Sequence, residues 1–372
     1  MTRTDDSDYL DRLIDDDALR RYLESTLGPA DGLELTYHRE GQSNETLFVR
    51  WGERELVLRR PPAGATADSA HDVLREYRVL EALQDADVPV PRTVAGCDDH
   101  GVLGADFYLM ERCRGDVLRD EEPERFARPR RRRSLAERFI DTLADIHETD
   151  PEAVGLGELG HPDGYTERQI DRWTEQLEWA FERTEAERSV PLLREIADWL
   201  AANVPEAYDH TLVHGDYKLD NVMFAPDGGR DASSDERADG ASERPPTVEA
   251  VFDWELCTRG DPAMDLGWML VYWPDPGDPS LEDGLLPRFL VREGYPTRRE
   301  LVERYEALTG RTFDHHRFYR TFGVFKMAGA CEMMYRRYLE GNADNESYPL
   351  MERRVPKLAE RADRIRTGEE PL

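Results

Sequence analysis

Residues 212–224 read Leu-Val-His-Gly-Asp-Tyr-Lys-Leu-Asp-Asn-Val-Met-Phe, a crowd of polar groups held between two apolar strand ends. Loops of this kind, positioned by rigid elements, are where binding and catalytic side chains concentrate. Further on, 248–252 reads as a strand that delivers Asp253, followed by Trp254-Glu255 and then Gly260-Asp261-Pro262-Ala263-Met264-Asp265. Asp261 suits a helix N-cap and Pro262 its first turn. Phosphoryl transfer from a nucleotide needs few parts: a carboxylate to orient or deprotonate an acceptor hydroxyl, an amide and a second carboxylate to hold magnesium, and cations on the phosphates. In this sequence Asp216 would face the acceptor, Asn221 and Asp253 would take the metal, and Lys218 would offset the charge developing on the transferred group. Lys218 is one of three lysines in the chain, with Lys326 and Lys357.

The elements that must hold these groups follow from periodicity. Spacing of Leu13, Ile14, Leu19, Tyr22 and Leu23 predicts a helix over 8–27, ended by Gly28-Pro29. Strand-like runs follow at 33–38, 46–51 and 55–60, the last stopped by Pro61-Pro62. A helix over 69–85 puts Val73, Tyr77, Leu80 and Leu83 on one face, and Glu76 shares that face. A carboxylate there needs a cation or an edge in water. Two more strands are expected at 92–97 and 107–111. Past Gly115 the pattern is mostly helical: 134–148, 166–184, 190–203, 263–272, 297–309 and 315–339, interrupted by short strands at 211–214 and 221–224. Residues 226–247 hold three alanines among Gly, Ser, Pro, Asp, Glu and Arg, and predict a disordered insertion joining two strands of a hairpin.

His214-Gly215-Asp216 with Asn221, then Asp253-Trp254-Glu255 and Gly260-Asp261-Pro262-x-x-Asp265, closely resembles the aminoglycoside phosphotransferase and choline kinase-like family. The resemblance runs from about residue 33 to 340. It is nearest the acyl-CoA-dehydrogenase-linked branch, on Leu58-Arg59-Arg60-Pro61-Pro62, Arg75-Glu76-Tyr77-Arg78-Val79-Leu80 and His214-Gly215-Asp216-Tyr217. It implies an α+β, bilobal protein-kinase-like fold, with an N-lobe over 1–112 and a helical C-lobe with the catalytic loop over 113–372. It also implies ATP and magnesium as cofactors. Gly41, Ser43 and Asn44 would belong to the nucleotide-covering loop, although its single glycine is a sparse version of that motif. Arg59 stands where the family carries a phosphate-binding lysine, with Glu76 as its helix partner, and Glu111 to Cys113 would form the hinge beside adenine. Arginine is a planar fork and does not place its charge as lysine does. His214 is expected to anchor the loop and Asp265 to brace it. Tyr165, Arg168, Arg172 and Glu255 would face the acceptor, and Trp173 is as much a core candidate as a cleft one.

Composition excludes several classes. With 79 acidic and 49 basic residues the formal charge is −30, which counts against a nucleic-acid binder because such a footprint needs clustered positive surface. No apolar run approaches the roughly 20 residues a membrane span needs, and the acidic 1–17 does not read as a signal peptide. An excess of carboxylates over lysine resembles proteins of extreme halophiles. Four scattered cysteines form no metal or disulfide pattern, which fits a reducing cytoplasm. The arginine run at 128–133 reads as a solvated helix start balanced by Glu121, Glu122 and Glu124. The expected partner is a small molecule with a hydroxyl group, such as a hydroxy acid or hydroxyacyl-CoA, an aminoglycoside or a choline-like compound, handled by a monomer or homodimer. The alternative is a non-catalytic nucleotide-binding regulatory module.

Overall fold

The computed structural model describes residues 9, 13–38, 44–62, 72–226, 245–282, 284–342 and 345–372. Its first part is an antiparallel sheet of β1 (Leu33–His38), β2 (Glu45–Trp51), β3 (Arg54–Arg60), β4 (Thr93–Cys97) and β5 (Phe107–Glu111), in the order β1-β2-β3-β5-β4. Two-residue alternation divides the faces. Leu56, Leu58, Phe107 and Leu109 pack with Leu19 and Leu23 of α1 (Asp16–Leu27). Val57, Tyr108 and Met110 point the other way, toward α2 (Val73–Ala82) and the main core. α1, capped by Asp15, begins at Asp16, eight residues after the expected start at 8, and residues 8 and 10–12 lie outside the described residues. On α2, Val73, Glu76, Val79 and Leu80 are all buried, so the carboxylate does lie in the apolar stripe.

The rest is mainly helical. It holds α3 (Pro129–Glu148), α4 (Tyr165–Thr184), α5 (Leu192–Ala202), α6 (Pro262–Val271), α7 (Arg298–Thr309), α8 (His316–Leu339) and α9 (Met351–Thr367). Short strands β6 (Asp116–Val117), β7 (Thr211–Val213), β8 (Val222–Phe224), β9 (Val248–Val251) and β10 (Thr258–Gly260) form two small sheets, β6-β8-β9 and β10-β7. The 24-residue α8 packs on α4, α6 and α9. Its crossing with α6 requires glycine, since a Cβ on Gly267 would lie 2.8 Å from Tyr319 and one on Gly323 would lie 2.6 Å from Val271.

Three expectations need correction. α3 begins at Pro129, five residues before the expected start, because proline is tolerated in a first helical turn. The arginine run is thereby part of the helix. The run divides: Arg128 and Arg130 are exposed and Arg132 pairs with Glu122 at 2.6 Å, as expected, whereas Arg131 is buried in the packing. α9 was not expected. The strands flanking 226–247 do pair as an antiparallel hairpin, and Ala225 N donates to Thr247 O at 2.9 Å. Residues 227–244, on which the disorder expectation falls, lie outside the described residues.

Candidate active site

The loop from His214 to Asn221 leaves β7 through Gly215, whose φ is +84° and whose Cβ, if present, would sit 2.8 Å from Leu256 Cβ. Its backbone is gripped by Asp265 of α6. His214 N donates to Asp265 Oδ2 at 2.6 Å and Gly215 N to Oδ1 at 2.8 Å. Burial would raise the Asp265 pKa, but bonds from His147 and from the backbone hold it below the ordinary carboxylate range. His214 accepts from Asp216 N at Nδ1 (3.1 Å), so its Nε2–H donates to Phe252 O (2.9 Å). With both ring nitrogens engaged by backbone, His214 is an anchor between the loop and the segment preceding Asp253.

Asp216 is held from both sides. Its Oδ2 accepts from Lys218 Nζ at 2.9 Å and Asn221 Nδ2 at 3.0 Å, and its Oδ1 accepts from Trp268 Nε1 at 2.9 Å. Burial pushes this carboxyl up, but Lys218 and Lys326 outweigh it and keep it below the usual range. It is therefore an ionised group of fixed orientation, the state required to receive or orient a hydroxyl.

Asn221 is buried and follows Asp216 by one turn of 3₁₀ helix. Because its Nδ2 is spent on Asp216 Oδ2 and on Asp216 O (2.9 Å), its Oδ1 is the atom left for a cation. Asp253 adopts a left-handed backbone, φ 66° and ψ 55°, alone in positive φ among described residues other than glycine. Its neighbours over-determine that strain. Phe252 N donates to Asn221 O at 2.8 Å, and the buried Trp254 donates to Val251 O at 2.9 Å. Among the described residues no group of three His, Cys, Asp or Glu is arranged to hold a metal. Magnesium does not need one, because it binds through one or two protein carboxylates and completes its shell with water and substrate phosphates. One carboxylate and one amide oxygen fit that donor set.

Arg59 on β3 bridges two carboxylates. Its Nη1 lies 3.3 Å from Glu76 Oε1 and its Nη2 3.4 Å from Asp253 Oδ1. Glu76 is 1% exposed, and burial raises its pKa against the opposing pull of Arg59. A cleft of about 1330 Å³ is lined by Arg59, Glu111, Cys113, Asp216, Lys218, Asn221 and Asp253 among others. Glu111 N donates to Arg92 O (2.8 Å) and Arg112 N to Glu55 O (3.0 Å), so the sheet uses these two hinge amides. Gly41 and Ser43 lie outside the described residues. Asn44 is buried, and its Nδ2 donates to Glu255 Oε2 at 3.4 Å.

The expected acceptor group divides. Tyr165 and Arg172 line a separate cavity of about 60 Å³ together with Gln169, Trp173, Trp268 and Lys326. These α4 positions recur at i, i+4, i+7 and i+8, whereas Arg168 at i+3 falls on the margin of that stripe. Arg168 instead donates to the carbonyls of His161 and Asp163. Glu255 lies in the larger cleft beside Asn44, and its carbonyl accepts from Arg75 Nη1 at 2.8 Å. Arg75, Trp268 and Lys326 escaped sequence reading. The rarity of lysine was the available signal for Lys326.

A five-stranded antiparallel sheet with one buried Arg–Glu pair, set over a helical part that carries an Asp…Asn loop and a following Asp, defines a kinase-like small-molecule phosphotransferase. The chain belongs to the phosphotransferase enzyme family, whose model matches residues 34–231 and 241–301. It is 33% identical to mouse (Mus musculus) acyl-CoA dehydrogenase family member 10 over 352 residues, covering 94% of this chain and 31% of that protein. It is 35% identical to acyl-CoA dehydrogenase family member 11 of Gallus gallus over 359 residues, covering 94% of this chain and 43% of that one. The chain thus spans less than half the length of these relatives. A Ralstonia eutropha JMP134 protein, crystallised as a candidate aminoglycoside phosphotransferase, superposes with a TM-score of 0.77 at 31% identity over 95% of this chain and 98% of that one. An aminoglycoside phosphotransferase in complex with ADP and hygromycin B shares the fold, with a TM-score of 0.55 at 15% identity over 95% of this chain and 99% of that one. No helix among the described residues is long and apolar enough to cross a membrane.

Proposed function

We propose that this protein transfers the γ-phosphoryl group of ATP, with magnesium, to a hydroxyl of a small acidic acceptor, a hydroxy acid or its acyl-CoA thioester. The observation that carries this reading is the alignment of Arg59, Asp216, Lys218, Asn221 and Asp253 along one cleft. In it, Asp216 orients the acceptor hydroxyl and receives its proton. Lys218, 2.9 Å from Asp216, neutralises charge on the transferring group. Arg59, set by Glu76, holds the nucleotide phosphates. Asn221 and Asp253 would hold magnesium, which when bound neutralises phosphate oxygens. Catalysis is then mainly positioning and electrostatics.

The acceptor class follows from the neighbouring cavity. Arg172 and Lys326 give it cationic walls, which oppose a polycationic aminoglycoside. Trp173 and Trp268 supply the beginnings of an aromatic cage, but the Lys326 ammonium already occupies it, 4.0 Å from the Trp268 ring centre, where a choline head would otherwise stack. The names of the acyl-CoA dehydrogenase relatives agree with a thioester-linked acceptor. The test is ATP turnover with magnesium in molar potassium chloride, a medium chosen because the net charge of −30 fits adaptation to salt. Hydroxy acids, hydroxyacyl-CoA esters, aminoglycosides and choline serve as acceptors, and Asp216→Ala runs beside wild type. Transfer to a hydroxy acid or its thioester, lost in the variant, is expected. Nucleotide binding with no transfer to any acceptor would instead favour the regulatory module, for which the arginine at position 59 is the supporting feature.

A further inference from the structure

Lys326 enters the catalytic region from α8, 111 residues from its hydrogen-bond partner in the sequence. Its ammonium donates to Gly215 O at 2.7 Å and lies over the face of Trp268 at 4.0 Å, with the Trp173 ring centre at 5.8 Å on another side. The same Trp268 donates its indole N–H to Asp216 Oδ1 at 2.9 Å. One ring therefore joins a cation on its face to a carboxylate on its edge. A cation above an indole draws electron density toward itself and makes the N–H a stronger donor, and hydrogen bonds polarise one another in a poorly hydrated site.

We propose that Lys326 is a positioning residue for phosphoryl transfer: by gripping the Gly215 carbonyl and polarising Trp268, it fixes the orientation of the Asp216 carboxylate. This rests on the phosphotransferase reading above. The glycines at the α6–α8 crossing belong to the same arrangement, because they let α8 approach closely enough to bring Lys326, one turn beyond Gly323, onto the loop.

The charge on Lys326 is conditional. Burial lowers its pKa to about 8, Lys218 of the loop and Arg172 of α4 push in the same direction, and Asp216 of the loop and Asp265 of α6 pull back. Tyr165 of α4 also lines the cavity. Above that pH the amine still donates to Gly215 O but no longer polarises the ring. Orientation of Asp216 thus weakens as pH rises through about 8.

Two readouts test this. The first is the ¹⁵N-indole resonance of Trp268 in the full chain, identified by its disappearance in Trp268→Phe. It is expected to titrate with a midpoint near pH 8 in wild type, to lose that titration in Lys326→Met, and to shift its midpoint downward in Asp216→Asn, where the stabilising carboxylate charge is gone. The second is the pH profile of ATP-dependent transfer to the acceptor found in the panel. Lys326→Met is expected to lower kcat on the order of 10- to 100-fold with KM for ATP within about twofold, and Lys326→Arg to retain most of kcat while moving the alkaline limb above about pH 10. An indole resonance indifferent to Lys326→Met, or an alkaline limb unchanged in Lys326→Arg, overturns the proposal. If Lys326→Met fails to fold, the Lys326→Arg profile and the Asp216→Asn shift decide it. Transfer to no acceptor, with the indole titration present, would refute the enzymatic reading and leave the Lys326–Trp268–Asp216 link supported by the resonance.

Discussion

Replacing Asp265 by Asn removes one acceptor oxygen from a place where two buried backbone amides need one each. His214 N and Gly215 N now donate to Oδ2 and Oδ1 at 2.6 and 2.8 Å, and Asp265 is 2% exposed. An asparagine can satisfy one of them, and its NH₂ then faces the other. The loss is one charge-assisted hydrogen bond plus one buried donor left unpaired, in sum about 3 kcal/mol. For a chain of this size that corresponds to a fall in Tm of roughly 5 °C. Because the two amides immediately precede Asp216, kcat should fall about 100-fold while KM for ATP, proposed to bind on the Arg59 side of the cleft, stays within about threefold. The sign of the pH dependence is fixed as well. The Asp265 pKa is depressed in the folded state, so its contribution is present at neutral pH and is lost as pH falls below the ordinary carboxylate value. Urea titrations of wild type and Asp265→Asn at pH 7 measure the difference. A stability within about 0.5 kcal/mol of wild type, together with unchanged kcat, would refute the bracing role.

Other substitutions probe other links. Asp216→Ala should abolish transfer by at least about 1000-fold while leaving ATP binding, read by calorimetry, within a few-fold. Arg59→Ala leaves the buried Glu76 carboxylate without its cation and should cost about 3–5 kcal/mol of stability, most of it recovered in Arg59→Ala combined with Glu76→Gln. Arg75→Ala removes bonds to the carbonyls of Glu255 and Cys257, at 2.8 and 2.5 Å, and should loosen the segment after Asp253, seen as faster amide hydrogen exchange over 254–258 at a stability cost of about 2 kcal/mol. Asp261 is 1% exposed, and burial raises its pKa from 3.8 to about 6. The folded state therefore binds its proton more tightly than the unfolded chain, and up to about 3 kcal/mol of stability present in acid is lost as pH rises through 6. Asp261→Asn, which keeps a capping oxygen, should flatten the pH 4–6 stability curve.

The candidate site was legible where chemistry and position are both local. The spacing of Asp216, Lys218 and Asn221 within one loop carries its meaning in sequence, and so does the Asp253 that ends a strand. Glu76 announced itself as a carboxylate inside an apolar stripe, and its cation was found on the strand it faces. The fold was legible where periodicity was clean, as in β1 and β5. It failed at α9, where Pro356 and a high density of charge obscured the stripe of Val355, Leu358, Ala359, Ala362 and Ile365. Arg75, Trp268 and Lys326 were hidden for a different reason. Each acts through a contact made across the chain with no local pattern, and in the sequence each looks like an ordinary member of a helical face. Arg168 erred in the opposite direction: its type suited the acceptor side, but its angular position on α4 did not.

Asn221 and Asp253 are 32 positions apart in the sequence, yet they stand at adjoining ends of paired strands, tied by the bond from Phe252 N to Asn221 O. The connecting segment leaves from the far end of the hairpin, where Ala225 and Thr247 are clasped. Loop-closure entropy in general grows slowly with length, by about 0.6 kcal/mol for each doubling. The bonds that hold the candidate metal pair together are made outside 227–244, so an insertion within that stretch is expected to spare the pair. A reporter domain or an affinity tag spliced there is expected to leave the reaction centre undisturbed.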